Sequence, residues 1–342
     1  MKILILGAGG FIGSHLANTL LEEGFDIVGV DISDEKLDAD VIKKIEFYRW
    51  DVRKHHDDLS ACIAQADLVI DLIAYANPAI YIQRPLDVVQ LNFFENLFVA
   101  QQCIDHSKRL IQFSTCEVYG MSGGSNEPFS EDDSPLTMGP VRYHRWIYAC
   151  GKQYLERILH AYGLEGQLDY TIIRPFNFIG PRFDYLIRSR TDGTPRVLAL
   201  FLSALLQEQP LYLVDGGKQT RSFTDIRDAL DAMVLIIKSG EGDFNCQICN
   251  IGNPNNEISM EHLARKMIDL YEELSGTTFR AGIRTVSGEE FYGEGYQDCD
   301  RRLPDISKLK AVGWMPKYTL DDALRSTMTY YLERNIKATE RL

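Results

Sequence analysis

Residues 2–6 read Lys-Ile-Leu-Ile-Leu and run straight into Gly7-Ala8-Gly9-Gly10-Phe11-Ile12-Gly13. The apolar run reads as a parallel strand buried on both faces. Phe11 to Glu23 follows with helical periodicity, placing Ile12, Leu16, Leu20 and Leu21 on one side. Gly7, Gly10 and Gly13 therefore fall in the turn between a strand and a helix. Small residues there let the backbone approach a pyrophosphate, which the positive end of the helix attracts. A glycine turn alone is weak evidence, and its plain alternative is a tight turn with a surface acid nearby. Here a second strand, Asp26 to Val30, ends at Asp31, about 20 residues on, where a carboxylate holds an adenosine ribose diol. The same carboxylate repels a 2'-phosphate, so we expect NAD rather than NADP. Asp51, which closes the apolar run from Ile45 to Trp50, is expected to reach the adenine.

The pattern continues. Leu68 to Ile73, Leu110 to Ser114 and Tyr170 to Arg174 read as further strands. Asp87 to Ser107 and Arg142 to His160 read as long helices between them. Alternating strands and helices imply an α/β fold with a doubly wound parallel sheet. After Pro175 the loops lengthen, punctuated by Gly180-Pro181 and Asp215-Gly216-Gly217. Phe244 to Ile251 reads as one more strand and Met260 to Glu273 as one more helix. We expect a nucleotide-binding domain of residues 1–174 and 223–252, and a smaller α/β substrate lobe of residues 175–222 and 253–342. The polar tail from Asn335 to Leu342 is expected to fray.

Composition narrows the function. With 45% hydrophobic and 25% charged residues, the chain is an ordinary globular one. A net charge of -13 argues against a nucleic-acid partner. No run of about 18 apolar residues could span a membrane. The N-terminus enters a strand at once, without the basic start and cleavage site of a signal peptide. Seven cysteines without framework spacing read as free thiols in a reducing cytoplasm.

Two further clusters carry chemistry. Tyr148 and Lys152 lie one turn apart on one helix face. A free phenol has a pKa of about 10, and a nearby ammonium and a nicotinamide cation would both favour its phenolate. Thr115, Cys116 and Glu117 follow a strand, at the edge where parallel sheets bind ligands. Thr115 is placed to hydrogen-bond a hydroxyl being oxidised, and Glu117 to act as acid or base if burial raises its pKa. Cys116 is either an active thiol or a core filler. Arg174, Arg182, Arg196, Lys218, Arg221, Arg301 and Arg302 are candidates for a diphosphate and a carboxylate. Cys246 and Cys249 have metal-like spacing but no partner pair, so we expect core packing and no metal site.

Together, the glycine loop, Asp31, Ser114-Thr115 and the Tyr148/Lys152 pair resemble the extended short-chain dehydrogenase/reductase superfamily, over nearly the whole chain. More narrowly, Phe113 to Gly120, Arg145 to Lys152, Arg174 to Asn177 and Asp215 to Gln219 resemble the UDP-glucuronic acid decarboxylase branch. Ile251 to Pro254, Phe291 to Tyr296 and Arg301 to Pro304 do the same. Within that branch, Cys116 resembles the plant-type UDP-apiose/UDP-xylose synthases. Serine holds its place in the bacterial UDP-4-ketopentose synthases of lipid A modification. Ala76 departs from the first type, which has a second cysteine there. Nothing resembling a formyltransferase precedes Met1, so no fused second enzyme is expected.

The resemblance implies roles by position. Gly7, Gly10, Phe11, Ile12, Gly13, Asp31, Asp51, Leu72, Ala74 and Asn92 would line NAD. Thr115, Tyr148 and Lys152 would serve hydride transfer, and Cys116 would stand beside them. Glu117 and Arg302 would handle the carboxylate and the proton that replaces it. Asn177, Arg196, Tyr212, Arg221 and Tyr296 would hold the UDP portion of UDP-glucuronic acid. Tyr212 stands where the lipid A enzymes have a lysine. The implied reaction is oxidation at C4, loss of carbon dioxide, and release or reduction of a 4-ketopentose. A 4-epimerase or dehydratase on the same scaffold, and a non-catalytic NAD-binding protein, stay open. A homodimer is implied, pairing Asp87 to Ser107 and Arg142 to His160 of each subunit into a four-helix bundle.

Overall fold

A computed structural model describes residues 1–184, 196–239, 242–294 and 296–339. Six strands open the central sheet: β1 (Lys2–Leu6), β2 (Asp26–Asp31), β3 (Glu46–Arg49), β4 (Leu68–Asp71), β5 (Arg109–Phe113) and β6 (Tyr170–Pro175). The strand Gln247–Ile251 joins beyond β6, giving the order 247–251, β6, β5, β4, β1, β2, β3, with every pairing parallel. Alternate residues feed two cores. Ile3, Ile5, Ile70, Ile111 and Ile173 face one, with Leu16 and Leu20 of helix α1 (Phe11–Glu22). Leu4, Leu6, Val69, Leu110 and Ile172 face the other, with Val99, Leu155 and Leu159 from helices 96–105 and 147–164. This period of two, with both faces covered, makes the sheet strands nearly all apolar.

The chain reverses its winding between β1 and β4, so the turns after these strands, at Gly7 and Leu72, open a crevice at the sheet's carboxyl edge. Three small sheets build the far wall. The strand Thr220–Ser222 is flanked by Glu257–Ser259 and Arg301–Arg302, with Arg302 in register with Arg221. Leu211–Val214 pairs with Ile283–Val286, and Phe178–Ile179 with Thr224–Asp225.

Two expectations are corrected. The span from Asp87 to Ser107 is a helix from Pro85 to Val89, a widened π turn over Gln90–Glu95 and a helix from Asn96 to Asp105. The next helix begins at Ile147, after a tight 3-10 turn at His144–Trp146. Periodicity misses both because a π turn and a 3-10 turn keep the apolar spacing while changing the backbone. The backbone of the last helix runs Leu320–Thr339, and residues 340–342 of the tail lie outside the described residues.

Candidate active site

The crevice has a nucleotide end and a cleft end. At the nucleotide end, Gly7 takes φ +86°, which a side chain would strain. A Cβ on Gly13 would lie 2.1 Å from the Gly7 carbonyl oxygen, so the loop folds onto the first turn of α1 only with glycine there. Gly10 precedes α1 and supplies no side-chain cap, which leaves the first-turn amides of Phe11 and Ile12 for an anion. Asp31, at the end of β2, accepts the Gly9 amide at 2.9 Å and the Ser33 amide at 3.3 Å, fixing the acid against the loop. These residues fit a dinucleotide: close backbone approach, an uncapped helix end and a carboxylate one strand over.

Other residues assigned to the cofactor differ in detail. Asp51 is paired with the Arg53 guanidinium through two contacts of 2.8 Å, which hold its carboxyl below the usual range. Leu72 packs against Gly7. Ala74 joins Tyr81, Val88 and Tyr148 in a small apolar cluster. Asn92 has no free amide end: it accepts from the Tyr75 amide at 2.8 Å and donates to the Tyr75 carbonyl at 2.9 Å. It holds the loop after β4. Asn96, which the sequence reading missed, is on the same buried face. It accepts from Lys152 Nζ at 2.7 Å and donates to the Ile73 carbonyl at 3.1 Å. Its only sequence signal was its spacing of one helical turn from Asn92.

Tyr148 and Lys152 project from the buried face of the helix Ile147–Leu164. The Tyr148 ring stacks on Tyr81 at 4.6 Å, and its hydroxyl hydrogen-bonds Thr115. Burial first, then the Glu117 charge, push the phenol well above its ordinary value. The expected help from Lys152 is not visible: its ammonium donates to Asn96 and, at 2.9 Å, to the Phe113 carbonyl. Burial lowers Lys152 to about 8, against the Asp71 carboxylate, which raises it.

Glu117 overturns the acid expectation. Burial alone would raise its pKa. Arg145, in contacts of 2.6 and 3.1 Å, and Arg302 at 3.4 Å outweigh burial and hold it below the ordinary value. Glu117 is thus an anion at neutral pH. A second carboxylate, Asp298, accepts from Arg221 at 2.7 Å and from the Tyr296 hydroxyl at 3.1 Å. It also faces Arg145 at 3.4 Å and Arg302 at 3.5 Å. Neither Asp298 nor Arg145 was assigned a role from sequence. Arg145 lay inside a noted motif, while Asp298 had only its basic neighbours as a signal. All three arginines are buried. Cys116, between Thr115 and Glu117, packs with Val118, Tyr119, Phe129 and Phe176, and burial raises its thiol above the ordinary range.

These charges floor a cleft of about 670 Å³ lined also by Ala76, Asn177, Arg196, Tyr212 and Tyr296. Asn177 has φ +41° and donates to the Ser222 carbonyl at 2.9 Å. Arg196 lies 3.2 Å from Asp184 and over the Phe183 ring. Three other basic candidates, Arg174, Arg182 and Arg301, are engaged elsewhere. Arg174 pairs with Glu156 at 2.6 Å beneath the sheet edge, and Arg182 with Asp38 at 2.8 Å. Arg301 pairs with Glu257 at 2.6 Å. Cys249 is in the core, and among the described residues no group of His, Cys, Asp and Glu is arranged to hold a metal.

A dinucleotide-type loop with Thr115, Tyr148 and Lys152 beyond it fits an NAD-dependent enzyme, the class that the family model describes. The chain belongs to the NAD dependent epimerase/dehydratase family, whose model matches residues 3–252. It is 43% identical to UDP-D-apiose/UDP-D-xylose synthase 2 of Arabidopsis thaliana over 370 aligned positions, covering 100% of this chain and 95% of that one. Among solved structures, the PbgP3 protein of Burkholderia pseudomallei matches with a TM-score of 0.87 and 36% identity, covering 98% of each chain. The UDP-glucuronic acid 4-epimerase of Bacillus cereus, solved with UDP-glucuronic acid and NAD, matches with a TM-score of 0.77 and 26% identity. That match covers 98% of this chain and 100% of the epimerase.

Proposed function

We propose that the protein catalyses NAD-dependent oxidative decarboxylation of UDP-glucuronic acid through a 4-keto intermediate, in the manner of a UDP-apiose/UDP-xylose synthase. One observation carries the reading: three buried arginines converge with two carboxylates beside Tyr148 and Thr115, and among the described residues this cluster keeps a surplus of one positive charge for an acidic substrate. NAD supplies a hydride acceptor for C4. Tyr148 takes the proton of the 4-hydroxyl, and Thr115 orients that oxygen. The cationic ring of bound cofactor would offset the burial that holds the phenol protonated. Lys152, fixed by Asn96, supports the nicotinamide ribose. Arg302 and Arg145 orient the carboxylate. With carbon dioxide gone, the electrons delocalise as an enolate, and C5 is reprotonated from the Glu117–Arg302 side. Glu117 is an anion there, so it relays a proton taken up from solvent rather than storing one.

Asn177, Arg196, Arg221, Tyr212 and Tyr296 hold the UDP portion. The lobe division at residues 1–174 with 223–252 against 175–222 with 253–342 is part of this reading. It is supported by the strand 247–251 joining the central sheet while these five residues lie outside the first segments. Ala76 on the cleft wall favours a second outcome, release of UDP-4-ketopentose or its reduction to UDP-xylose without ring contraction. Incubating the protein with UDP-glucuronate and NAD, then identifying carbon dioxide and the sugar nucleotide by NMR, tests both.

We place the enzyme in the cytoplasm as a homodimer. Its seven cysteines are unpaired, and among the described residues no helix is long and apolar enough to cross a membrane. Leu86, Phe94 and Tyr154 stand exposed along the helices of 85–105 and 147–164. They supply an apolar face for a second copy. A monomer by light scattering at micromolar concentration would refute the dimer.

A further inference from the structure

Placing carboxylates in a cleft that must take a carboxylate and a diphosphate works against binding, and two are present. Glu117 spans Arg145 and Arg302. Asp298 contacts all three arginines and is fixed by the Tyr296 hydroxyl and, at 2.9 Å, by the Cys299 amide. Its guanidinium partners come from three elements: the 3-10 turn before residue 147 and the adjacent strands at 220–222 and 301–302. Three positive and two negative charges leave a surplus of one.

We propose that Asp298, together with Glu117, attenuates the arginine cluster so that it orients the substrate's carboxylate without over-stabilising it, and that Asp298 is thereby a rate-setting positioning residue. The inference rests on the decarboxylation reading above. In that step the C5–C6 bond breaks, its electron pair moves into a C4–C5 double bond, and the C4 oxygen becomes an enolate. C6 leaves as neutral carbon dioxide, and a proton then adds to C5. Negative charge therefore moves from C6 to the C4 oxygen. Cations gripping C6 favour the starting keto acid over the transition state, which adds affinity and removes rate. Counter-ions built into the grip reverse that trade.

Charge and structural damage have opposite signatures, so the test is direct. With NAD bound, affinities for UDP-glucuronate and UDP-glucose are measured by calorimetry in the native protein, Asp298→Asn, Asp298→Glu and Glu117→Gln. Asp298→Asn is expected to raise the preference for UDP-glucuronate by about tenfold, and Glu117→Gln to raise it too, since each deletes one negative charge close to the carboxylate. Asp298→Glu is expected to keep the native ratio within about twofold. In single-turnover experiments Asp298→Asn should form NADH normally yet release carbon dioxide about tenfold more slowly. An unchanged or lowered preference in Asp298→Asn overturns the proposal; if that variant does not fold, the same result in Glu117→Gln does so. Failure of the native protein to release carbon dioxide overturns the functional reading instead, by a separate readout.

Discussion

Two buried ion clusters lie at the ends of neighbouring strands, and they are built on opposite plans. Near the end of β6, Arg174 meets Glu156 in contacts of 2.6 and 3.1 Å. Ser114 donates to the same carboxylate, and Arg174 also lies over the Tyr119 ring. One positive and one negative charge close on each other, and both are almost fully buried. Beyond β5, Glu117 and Asp298 share Arg145, Arg221 and Arg302, a cluster with a positive surplus that borders the cleft. The first is a saturated scaffold. The second keeps a surplus charge, which in the proposed function the substrate's carboxylate meets. The lesson is that burial of an arginine does not mark a site; the charge balance around it does.

Mutation should break the two clusters differently. Arg302→Gln is expected to cut carbon dioxide release by about a hundredfold or more, because the carboxylate loses the guanidinium that orients it. It should cost little stability, because it leaves two cations against two anions. Arg174→Gln is the reverse: it strands Glu156 as an uncompensated buried charge and should cost about 3–5 kcal/mol. The folded fraction should still turn over. Urea denaturation beside steady-state kinetics checks both, and equal stability losses would erase the distinction.

Lys152 stands between the two plans, a buried cation whose direct partners are the neutral Asn96 and the Phe113 carbonyl. Burial lowers its pKa from 10.5 to about 8. Below pH 8 the lysine is charged in both folded and unfolded chains, and the folded state bears the full cost of burying that charge. Between about 8 and 10.5 the unfolded chain binds more protons, so stability rises with pH. The change amounts to about 3 kcal/mol. Denaturation at pH 7.5 and 9.5 should show native protein gaining on Lys152→Met; a constant gap would remove the depressed lysine from the account.

The smallest effect concerns Cys116, which borders the open cluster but packs into a closed apolar one. Burial raises its thiol, which argues for a neutral group at pH 7. Cys116→Ser should leave carbon dioxide release within about twofold, an isosteric change with little transition-state cost. Product NMR decides its further role. A branched sugar made by the native protein and lost in Cys116→Ser would give the thiol work in ring contraction.

The same contrast explains what was legible in the sequence. The nucleotide end is local: β1, Gly7 to Gly13 and α1 form one continuous stretch, and Tyr148 and Lys152 share one turn. Periodicity and spacing report such features directly. The open cluster is not local. Arg302 reaches Glu117 across 185 residues, and Asp298 reaches Arg145 across 153. Glu117 therefore read as a carboxyl raised by burial, when its distant partners lower it. Arg174 read as a substrate ligand because nothing in the sequence marks Glu156, 18 residues earlier, as its partner. The Asn96 bond to Lys152 was hidden for the same reason, since it joins two helices across 56 residues.

The central claim is that the surplus positive charge in the open cluster serves a carboxylate that is then lost. The most direct measurement follows UDP-glucuronate labelled with carbon-13 at C6, mixed with the protein and NAD. Labelled carbon dioxide should appear in step with a UDP-pentose or UDP-4-ketopentose. Retention of the label in UDP-galacturonate, or in unchanged substrate, would contradict the account.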